Sequence, residues 1–251
     1  MKRYFLFVLC CLMMGGIVKV QAIPEVEAQA SFVNHEGKEE VIEEMGNIYD
    51  APLTVTFAAI FDNPADTVGY DILYEWEINQ TKDNLERLLV KRNEETTTYT
   101  FTEGGTNVSY SIGLTITYRN RESGSEETVD DLEKITFSLQ GSSLHLYNAF
   151  SPNDDGTNDF FKVKTQSLLS FRMKIFNRWG QEIVSGDHNT LSTEYEDGYT
   201  YYICWDGTHH GSYVEDGVYF ILVEAEGSDG IKYTRRGDIN ILTRSKKGDK
   251  Q

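Results

Sequence analysis

The densest set of oxygen donors in the chain is the run Asn153-Asp154-Asp155-Gly156-Thr157-Asn158-Asp159. Side-chain oxygens at this spacing, folded around a glycine, suit a hard cation such as Ca²⁺, which takes about six to eight oxygen ligands. Asn153, Asp155 and Asp159 are the ligand candidates. The register is not that of an EF-hand, because a glycine at the sixth position puts Ser151 first and Lys162 twelfth, where a bidentate glutamate is needed. The same residues also make a turn in which Asn and Asp side chains accept from nearby backbone N–H groups. The turn is the preferred reading.

Other chemistry finds less support. The histidines are His35, His145, His188, His209 and His210, with no H-E-x-x-H and no C-x-x-C, so zinc has no framework. His209 and His210 would face opposite sides of a strand and fit a hairpin turn after Thr208 better. No G-x-S-x-G nucleophile turn and no phosphate-cradling glycine loop occurs. Carboxylate pairs for glycoside cleavage need two groups held roughly 5–9.5 Å apart, and nothing selects a pair among 40 acids. Cys204, beside Trp205, lacks a basic neighbour and reads as a packed thiol. Trp76, Trp179 and Trp205 are candidate sugar-stacking platforms. Trp76 shares an alternating face with Tyr74 and Ile78 and is expected in a core, while Trp179 and Trp205 adjoin glycine turns and are expected to pack domain ends. No catalytic residue emerges, and the chain reads as a non-enzyme.

Composition narrows the class. The 251 residues carry 40 acidic and 23 basic side chains, a formal charge of −17. Such a chain repels phosphate backbones, which argues against nucleic-acid binding. Its 15 Tyr, 13 Phe and 3 Trp argue for a folded chain. At the N-terminus, Lys2 and Arg3 precede an apolar run from Tyr4 to Val18, and Lys19-Val20-Gln21-Ala22 ends in a small residue. This is a secretory signal peptide, residues 1–22, with cleavage after Ala22. The run is shorter than the ~20 residues that span a bilayer. Bulky Phe7-Val8-Leu9 before Cys10 and Cys11 speak against lipidation. Removing 22 of 251 residues leaves 229, and losing Lys2, Arg3 and Lys19 takes the charge from −17 to −20. Cys204 is then the sole cysteine, so no internal disulfide is expected and each domain relies on its core. No transmembrane helix is expected in the mature chain.

The elements that must position these residues are strands. Residues 23–47 read as an acidic leader, a strand and a loop ahead of the first sandwich. From Ala51 the period becomes two: Leu53-Thr54-Val55-Thr56-Phe57 alternates, and Tyr110, Ile112, Leu114, Ile116 and Tyr118 alternate with Ser, Gly and Thr. Asp83–Val90 is at most one or two helical turns. Residues 48–141 are expected to form one β-sandwich. Gly141-Ser142-Ser143 reads as a linker. Beyond it, Phe171–Phe176, Val218–Val223 and Ile239–Leu242 read as strands among dense Asp-Gly and Trp-Gly turns. Val218–Val223 is apolar on both faces, as for a central strand covered on both sides or an edge between two sheets. Residues 142–244 thus form a second sandwich, followed by a basic tail, 245–251. The fold class is all-β, two consecutive Ig-like β-sandwiches behind a signal peptide.

The second half resembles a family through five motifs in order. These are Phe150-Ser151-Pro152-Asn153-Asp154-Asp155-Gly156-Thr157-Asn158-Asp159, then Ile175-Phe176-Asn177-Arg178-Trp179-Gly180, then Trp205-Asp206-Gly207-Thr208. Asp216-Gly217-Val218-Tyr219-Phe220 and Gly237-Asp238-Ile239-Asn240-Ile241-Leu242 complete them. They resemble the gliding-motility-associated C-terminal domain of Bacteroidetes surface proteins, the type B sorting domain of type IX secretion. The resemblance implies passage through the inner membrane by the signal peptide, then recognition by the outer-membrane machinery and delivery to the cell surface or medium. Without that machinery the product would stay periplasmic or at the outer membrane. Val184–Cys204 is longer than the family's usual link, and Ser245–Gln251 extends past its usual end.

The first half is similar to a PKD-type Ig-like domain in Ala51–Phe57, Tyr74-Glu75-Trp76-Glu77-Ile78, Thr98-Tyr99-Thr100-Phe101 and Tyr110–Thr117, although Asn79–Asn93 is longer and more charged than the family's hairpin. That implies an extracellular spacer or binding module. Asp66-Thr67-Val68 resembles the Bacteroidetes O-glycosylation pattern, with Thr67 as acceptor. Arg235-Arg236 with Arg244-Ser245-Lys246-Lys247 makes one basic end. The expected function is a non-catalytic exported protein of surface display, adhesion or surface assembly, whose partners are the type IX machinery and an unknown surface protein or glycan. The alternative is a displayed carbohydrate-binding module.

Overall fold

The computed structural model describes residues 23–42, 46–130 and 132–242. The signal peptide, its cleavage after Ala22 and the basic tail 245–251 lie outside these residues.

The first sandwich contains β1 (Val26–Val33), β2 (Glu39–Val41), β3 (Asn47–Tyr49), β4 (Leu53–Phe61), β5 (Tyr70–Lys82), β6 (Leu85–Arg92), β7 (Thr96–Phe101), β8 (Val108–Asn120), β9 (Glu126–Val129) and β10 (Ile135–Leu139). One sheet has the order β2-β1-β4-β7; the other runs β3-β10-β8-β5-β6, with β9 also on β8. β5 and β8 form its longest pairing, from Tyr70 opposite Asn120 to Lys82 opposite Val108. Alternation puts one face of each strand inside: Val55, Phe57, Trp76, Ile78, Ile112 and Ile116 are fully buried. Each such side chain contributes about 1.5–3 kcal/mol of transfer free energy. The Trp76 indole N–H donates to the Glu94 carbonyl at 3.0 Å, so its one polar atom is satisfied inside the core.

Two expectations fail here. The acidic stretch 23–47 is not a leader outside the domain, because β1 pairs with β4 from Val26–Phe61 to Phe32–Val55 and buries Ala30. The Tyr118 hydroxyl donates to the Pro24 carbonyl at 3.1 Å, and burial beside Tyr74 pushes that phenol up to about 12. Glu25 and Glu27 are exposed on either side of buried Val26, so these charges line the solvent side of the strand. Asp83–Val90 contains no helical turn. Asp83 and Asn84 take φ of 50° and 65° and close a two-residue hairpin between β5 and β6. Asp and Asn tolerate this left-handed backbone, and such turns match strand twist.

The second sandwich contains β11 (Ser143–Leu146), β12 (Ala149–Phe150), β13 (Phe161–Gln166), β14 (Leu168–Phe176), β15 (Glu182–Asp187), β16 (Thr193–Glu196), β17 (Tyr199–Trp205), β18 (Thr208–His209), β19 (Ser212–Tyr213), β20 (Gly217–Gly227) and β21 (Lys232–Ile241). Its sheets are β11-β13-β17-β16 and β12-β21-β20-β14-β15, with β18-β19 as a separate hairpin. His210 and Gly211, at φ 53° and 80°, turn that hairpin. The core holds Phe161, Val163, Met173, Ile175, Val223 and Ile239. β20 is central, but it is not covered on both sides: Tyr219, Ile221 and Val223 point into the core while Val218 and Phe220 are exposed.

Gly141-Ser142-Ser143 is a clamped junction and not a loose linker. The Ser142 N–H and hydroxyl both donate to Asp229, at 2.8 and 2.6 Å, and the Tyr233 hydroxyl donates to the Ser142 carbonyl at 3.0 Å. Across the junction, the Ala51 N–H donates to Ser167 Oγ at 3.1 Å, and the Gly104 N–H to the Ser228 carbonyl at 3.0 Å. These bonds bury backbone donors from one sandwich on acceptors of the other.

Candidate recognition surfaces

The motif residues of the second sandwich meet at one end. β12 runs parallel to β21, setting Phe150 opposite Ile241, and Gly217 lies antiparallel to the same Ile241. Phe150 packs on Trp205 with ring centres 5.5 Å apart, and Trp205 packs edge-on against Tyr219 at 4.9 Å. The Trp205 indole N–H donates to the Thr208 carbonyl at 2.7 Å, and the Tyr219 hydroxyl to the Glu215 carbonyl at 3.0 Å. Gly207 has φ of 80°, and a Cβ there would lie 2.6 Å from Pro152, so only glycine lets the Trp205-Asp206-Gly207 turn close on the Ser151-Pro152 segment. Asp206 accepts from the N–H and hydroxyl of Thr208, both at 2.8 Å. Asp216 sits in the turn leading into β20.

The Asn153–Asp159 loop lies at the same end. Asp159 accepts from the Asn153 N–H at 3.2 Å and the Gly156 N–H at 2.8 Å. Asn153 Oδ1 accepts from the Asp155 N–H, and Asp155 Oδ1 from the Thr157 N–H. Desolvation raises the Asp159 pKa, but the backbone N–H groups outweigh it and hold the carboxyl below its ordinary value. Asp154 and Asn158 take left-handed backbone at φ 57° and 56°. The loop's side chains serve as acceptors for its own backbone. Among the described residues no three His, Cys, Asp or Glu side chains gather as a metal group.

Asn177 accepts from the N–H groups of Trp179 and Gln181, both at 3.0 Å, so the Asn177–Gly180 turn is held by its first residue. Contrary to expectation, Trp179 does not pack the domain's end. It is 77% exposed, with the Arg178 guanidinium 4.5 Å over its ring. Trp205 is buried, so it is no sugar platform. In the first sandwich, Thr67 ends an exposed 3-10 turn, Pro64–Thr67, and its hydroxyl donates to the Pro64 carbonyl at 2.7 Å. Cys204 is buried in β17, and burial pushes its thiol up to about 12, which makes it unreactive. Arg235 lies over the Tyr233 ring at 5.4 Å.

A cleft of about 980 Å³ lies where the sandwiches meet, lined by residues such as His35, Asp50, Thr56, Thr193, Tyr195 and Tyr202. Sequence reasoning missed it, because its walls come from strands more than 100 residues apart. It holds carboxylates and hydroxyls but no lysine or arginine. Among the described residues no helix is long and apolar enough to cross a membrane.

Residues 144–241 match the type IX secretion signal domain CHU_C. A search of curated proteins found no match. Among solved structures, the chain is similar to the fibronectin(III)-like modules of Clostridium thermocellum CbhA at 12% identity, covering 83% of this chain and 96% of that one, with a TM-score of 0.23. It is similar to the FN1–FN3 domains of chicken CNTN1 at 10% identity, covering 88% and 90%, with a TM-score of 0.28. A tetra-tandem repeat from the extending region of a large adhesion protein matches at 13% identity, covering 88% and 68%, with a TM-score of 0.27. TM-scores of this size carry no argument of their own, and the sandwich architecture rests on the strand pairing described above. Residues 144–241 therefore match a type IX secretion signal domain, set behind a first β-sandwich.

Proposed function

We propose that this chain is a non-catalytic surface protein whose second sandwich directs its export and whose first sandwich is the displayed part, acting in adhesion or in assembly of a surface structure. The match of residues 144–241 to a type IX secretion signal domain carries this reading. The clamped junction supports it, since a displayed module held firmly on its sorting domain leaves as one folded body. The signal peptide ending at Ala22 supplies the first membrane crossing. The displayed sandwich offers edges and loops to a partner, with contacts made by backbone strands and side chains and not by bond chemistry. Thr67, on an exposed turn, is our candidate for O-glycosylation, which an intact-mass comparison with Thr67→Ala tests. The function is tested by fractionating a type IX-competent host that expresses the whole chain or a chain lacking residues 142–251. Surface delivery is expected only for the whole chain, and equal delivery of both would remove the sorting assignment.

A second reading, a displayed carbohydrate-binding module, is favoured by the junction cleft. Its carboxylates and the lack of lysine and arginine disfavour an anionic ligand, and its tyrosines and hydroxyls match the C–H faces and hydroxyls of a sugar. Calorimetric titration of the mature chain with cellohexaose, mannohexaose and xylohexaose tests it, with silence in all three expected under the first reading.

A further inference from the structure

An edge strand can be continued by another chain, because its outward N–H and C=O groups have no ladder partner. In the first sandwich β7 is the edge of the sheet β2-β1-β4-β7. Its sequence is Thr96-Thr97-Thr98-Tyr99-Thr100-Phe101. Every residue is β-branched or aromatic, which favours a strand, and none is charged, proline or glycine.

The pairing with β4 fixes which groups face out. The Ala59 N–H donates to the Glu95 carbonyl at 3.1 Å. Glu95 and the alternate residues Thr97, Tyr99 and Phe101 therefore turn their backbone groups toward β4. Thr96, Thr98 and Thr100 take the non-bonded positions opposite Ala58, Thr56 and Thr54. The Thr54 and Thr100 hydroxyls meet at 2.9 Å, as expected of a non-bonded pair, in which side chains lie closer. The N–H and C=O groups of Thr96, Thr98 and Thr100 thus project from the free edge, and among the described residues nothing bonds to them.

Edges are normally blunted by charge, bulges or short length, and the other edges of this chain are. β6 carries four charged residues; β15 carries two and its pairing is bulged. β2, β9 and β16 hold two acids each. β3, β11, β12 and the β18-β19 hairpin have strands of two to four residues. β7 has none of these guards.

Charge and symmetry point to a second copy. The chain carries −17, and −20 without residues 1–22, so two copies repel unless their contact is uncharged. β7 is such a place. Antiparallel pairing about a two-fold axis sets Thr98 opposite its own copy and Thr96 opposite Thr100. All three outward residues of each strand then bond, making about six hydrogen bonds. In this register Glu95 meets Phe101 and Glu94 meets Thr102, so no carboxylates face each other. Sliding by two residues either way loses a bonded pair within the strand, and one of the slides sets Glu95 against Glu103. Pairing β7 with β7 uses up both edges, so the assembly closes as a dimer and joins the two β2-β1-β4-β7 sheets into one.

We propose that the mature chain forms a two-fold dimer by antiparallel pairing of β7 with β7 of a second copy, in the register that sets Thr98 against Thr98. The proposal goes beyond the display reading and does not depend on it.

The test is analytical ultracentrifugation of the purified mature chain from about 1 µM to about 1 mM, a range that spans the affinities of small interfaces. Expected is a doubling of mass with concentration for the wild type. Both Thr98→Lys and Thr98→Glu should stay monomeric, because a charge of either sign on the axis meets its own copy. Thr98 is exposed, so neither variant should move the melting temperature of the dilute chain by more than about 2 °C. Register is read by cysteine. Bonded antiparallel partners have Cα atoms about 5.5 Å apart, within disulfide reach. Oxidised Thr98→Cys should therefore crosslink as a dimer, while Thr100→Cys alone should not; the native Cys204 is buried and does not compete. A wild type that stays monomeric throughout overturns the proposal. So does a dimer that survives both charges, which puts the interface elsewhere, or one that tolerates a single sign, which marks contact with a different surface of the copy. Growth beyond the dimer would mean pairing with another edge and overturns it too. If both charged variants unfold, the cysteine variants decide, and equal crosslinking or none sinks the pairing.

Discussion

The His35 imidazole stacks on the Tyr195 ring with centres 3.6 Å apart and planes 17° from parallel. His35 sits in the turn between β1 and β2; Tyr195 sits on β16, at the edge of the other sandwich. The Tyr195 hydroxyl also donates to Asp50 at 2.9 Å, and Asp50 accepts from Gln166 at 3.2 Å. The junction is therefore held by side chains as well as by backbone.

Desolvation, followed by the bond to Asp50 and its charge, pushes the Tyr195 phenol up to about 12. A phenol titrating higher folded than unfolded adds stability that is full below its unfolded value near 10. That stability is lost as pH rises toward about 12. Asp50→Ala is expected to lower the Tyr195 value toward 10, seen as an earlier alkaline titration of its ring carbon by NMR. An unchanged titration would mean that Asp50 does not govern this contact.

Gly104 is expected to tolerate no side chain. A Cβ there would lie 2.4 Å from the Gln140 carbonyl oxygen, a backbone atom that cannot swing away. Gly104→Ala should cost about 1–3 kcal/mol by denaturant unfolding. It should also widen the distance between the sandwiches in solution scattering. Gly46, with nothing within 4 Å of a Cβ but φ of 85°, is a poor control; Gly113, whose nearest neighbour is the flexible end of Lys134 at 3.8 Å, is the proper one.

Trp205 and Trp179 should separate sharply in stability. Trp205→Ala empties a buried site between Phe150 and Tyr219 and is expected to cost about 3–5 kcal/mol. Trp179→Ala removes an exposed ring and should change unfolding by less than about 0.5 kcal/mol. Cys204, buried on the same strand as Trp205, supplies a second readout. Its thiol should resist alkylation at pH 8 in the native chain and react once the second sandwich opens. Native-state labelling at the rate of a free thiol would contradict that placement.

Asp159 accepts two backbone N–H groups and titrates below its ordinary value. Its contribution is present above the unfolded value near 3.9 and disappears as pH falls through the lower folded value. Asp159→Asn should lower the melting temperature at pH 7, and the gap should close in strong acid. Adding CaCl₂ or EDTA should move the wild-type melting temperature by no more than about 1 °C. A rise of several degrees with calcium would restore the Asn153, Asp155 and Asp159 cation site.

Much of the architecture was legible because burial on one face of a strand imposes a period of two. Trp76, Ile78 and the Tyr110–Tyr118 series announce their faces without any knowledge of their partners. Pattern failed where charge masked it. Around β1, Glu25, Glu27 and the acidic residues that follow it masked the inward set Val26, Ala28 and Ala30, so the segment read as a leader outside the sandwich. In Asp83–Val90, the left-handed pair Asp83-Asn84 decided a hairpin that apolar periodicity could not show. Val218–Val223 looked doubly covered because hydrophobicity says nothing about whether a second layer exists.

The sequence by itself determined the class, two all-β sandwiches, and the identity of the second through five ordered motifs, because these depend on local alternation and turn chemistry. Only the tertiary structure decided what those motifs do. Trp179 and Trp205 sit beside equally plausible glycine turns, yet one faces water and the other is core. The difference lies in neighbours brought from afar: Phe150 and Tyr219 enclose Trp205, while among the described residues no strand returns over the turn that holds Trp179, which stays exposed. The junction cleft and the His35–Tyr195 stack belong to the same category, since each joins residues whose proximity arises only when two separately patterned domains are packed together.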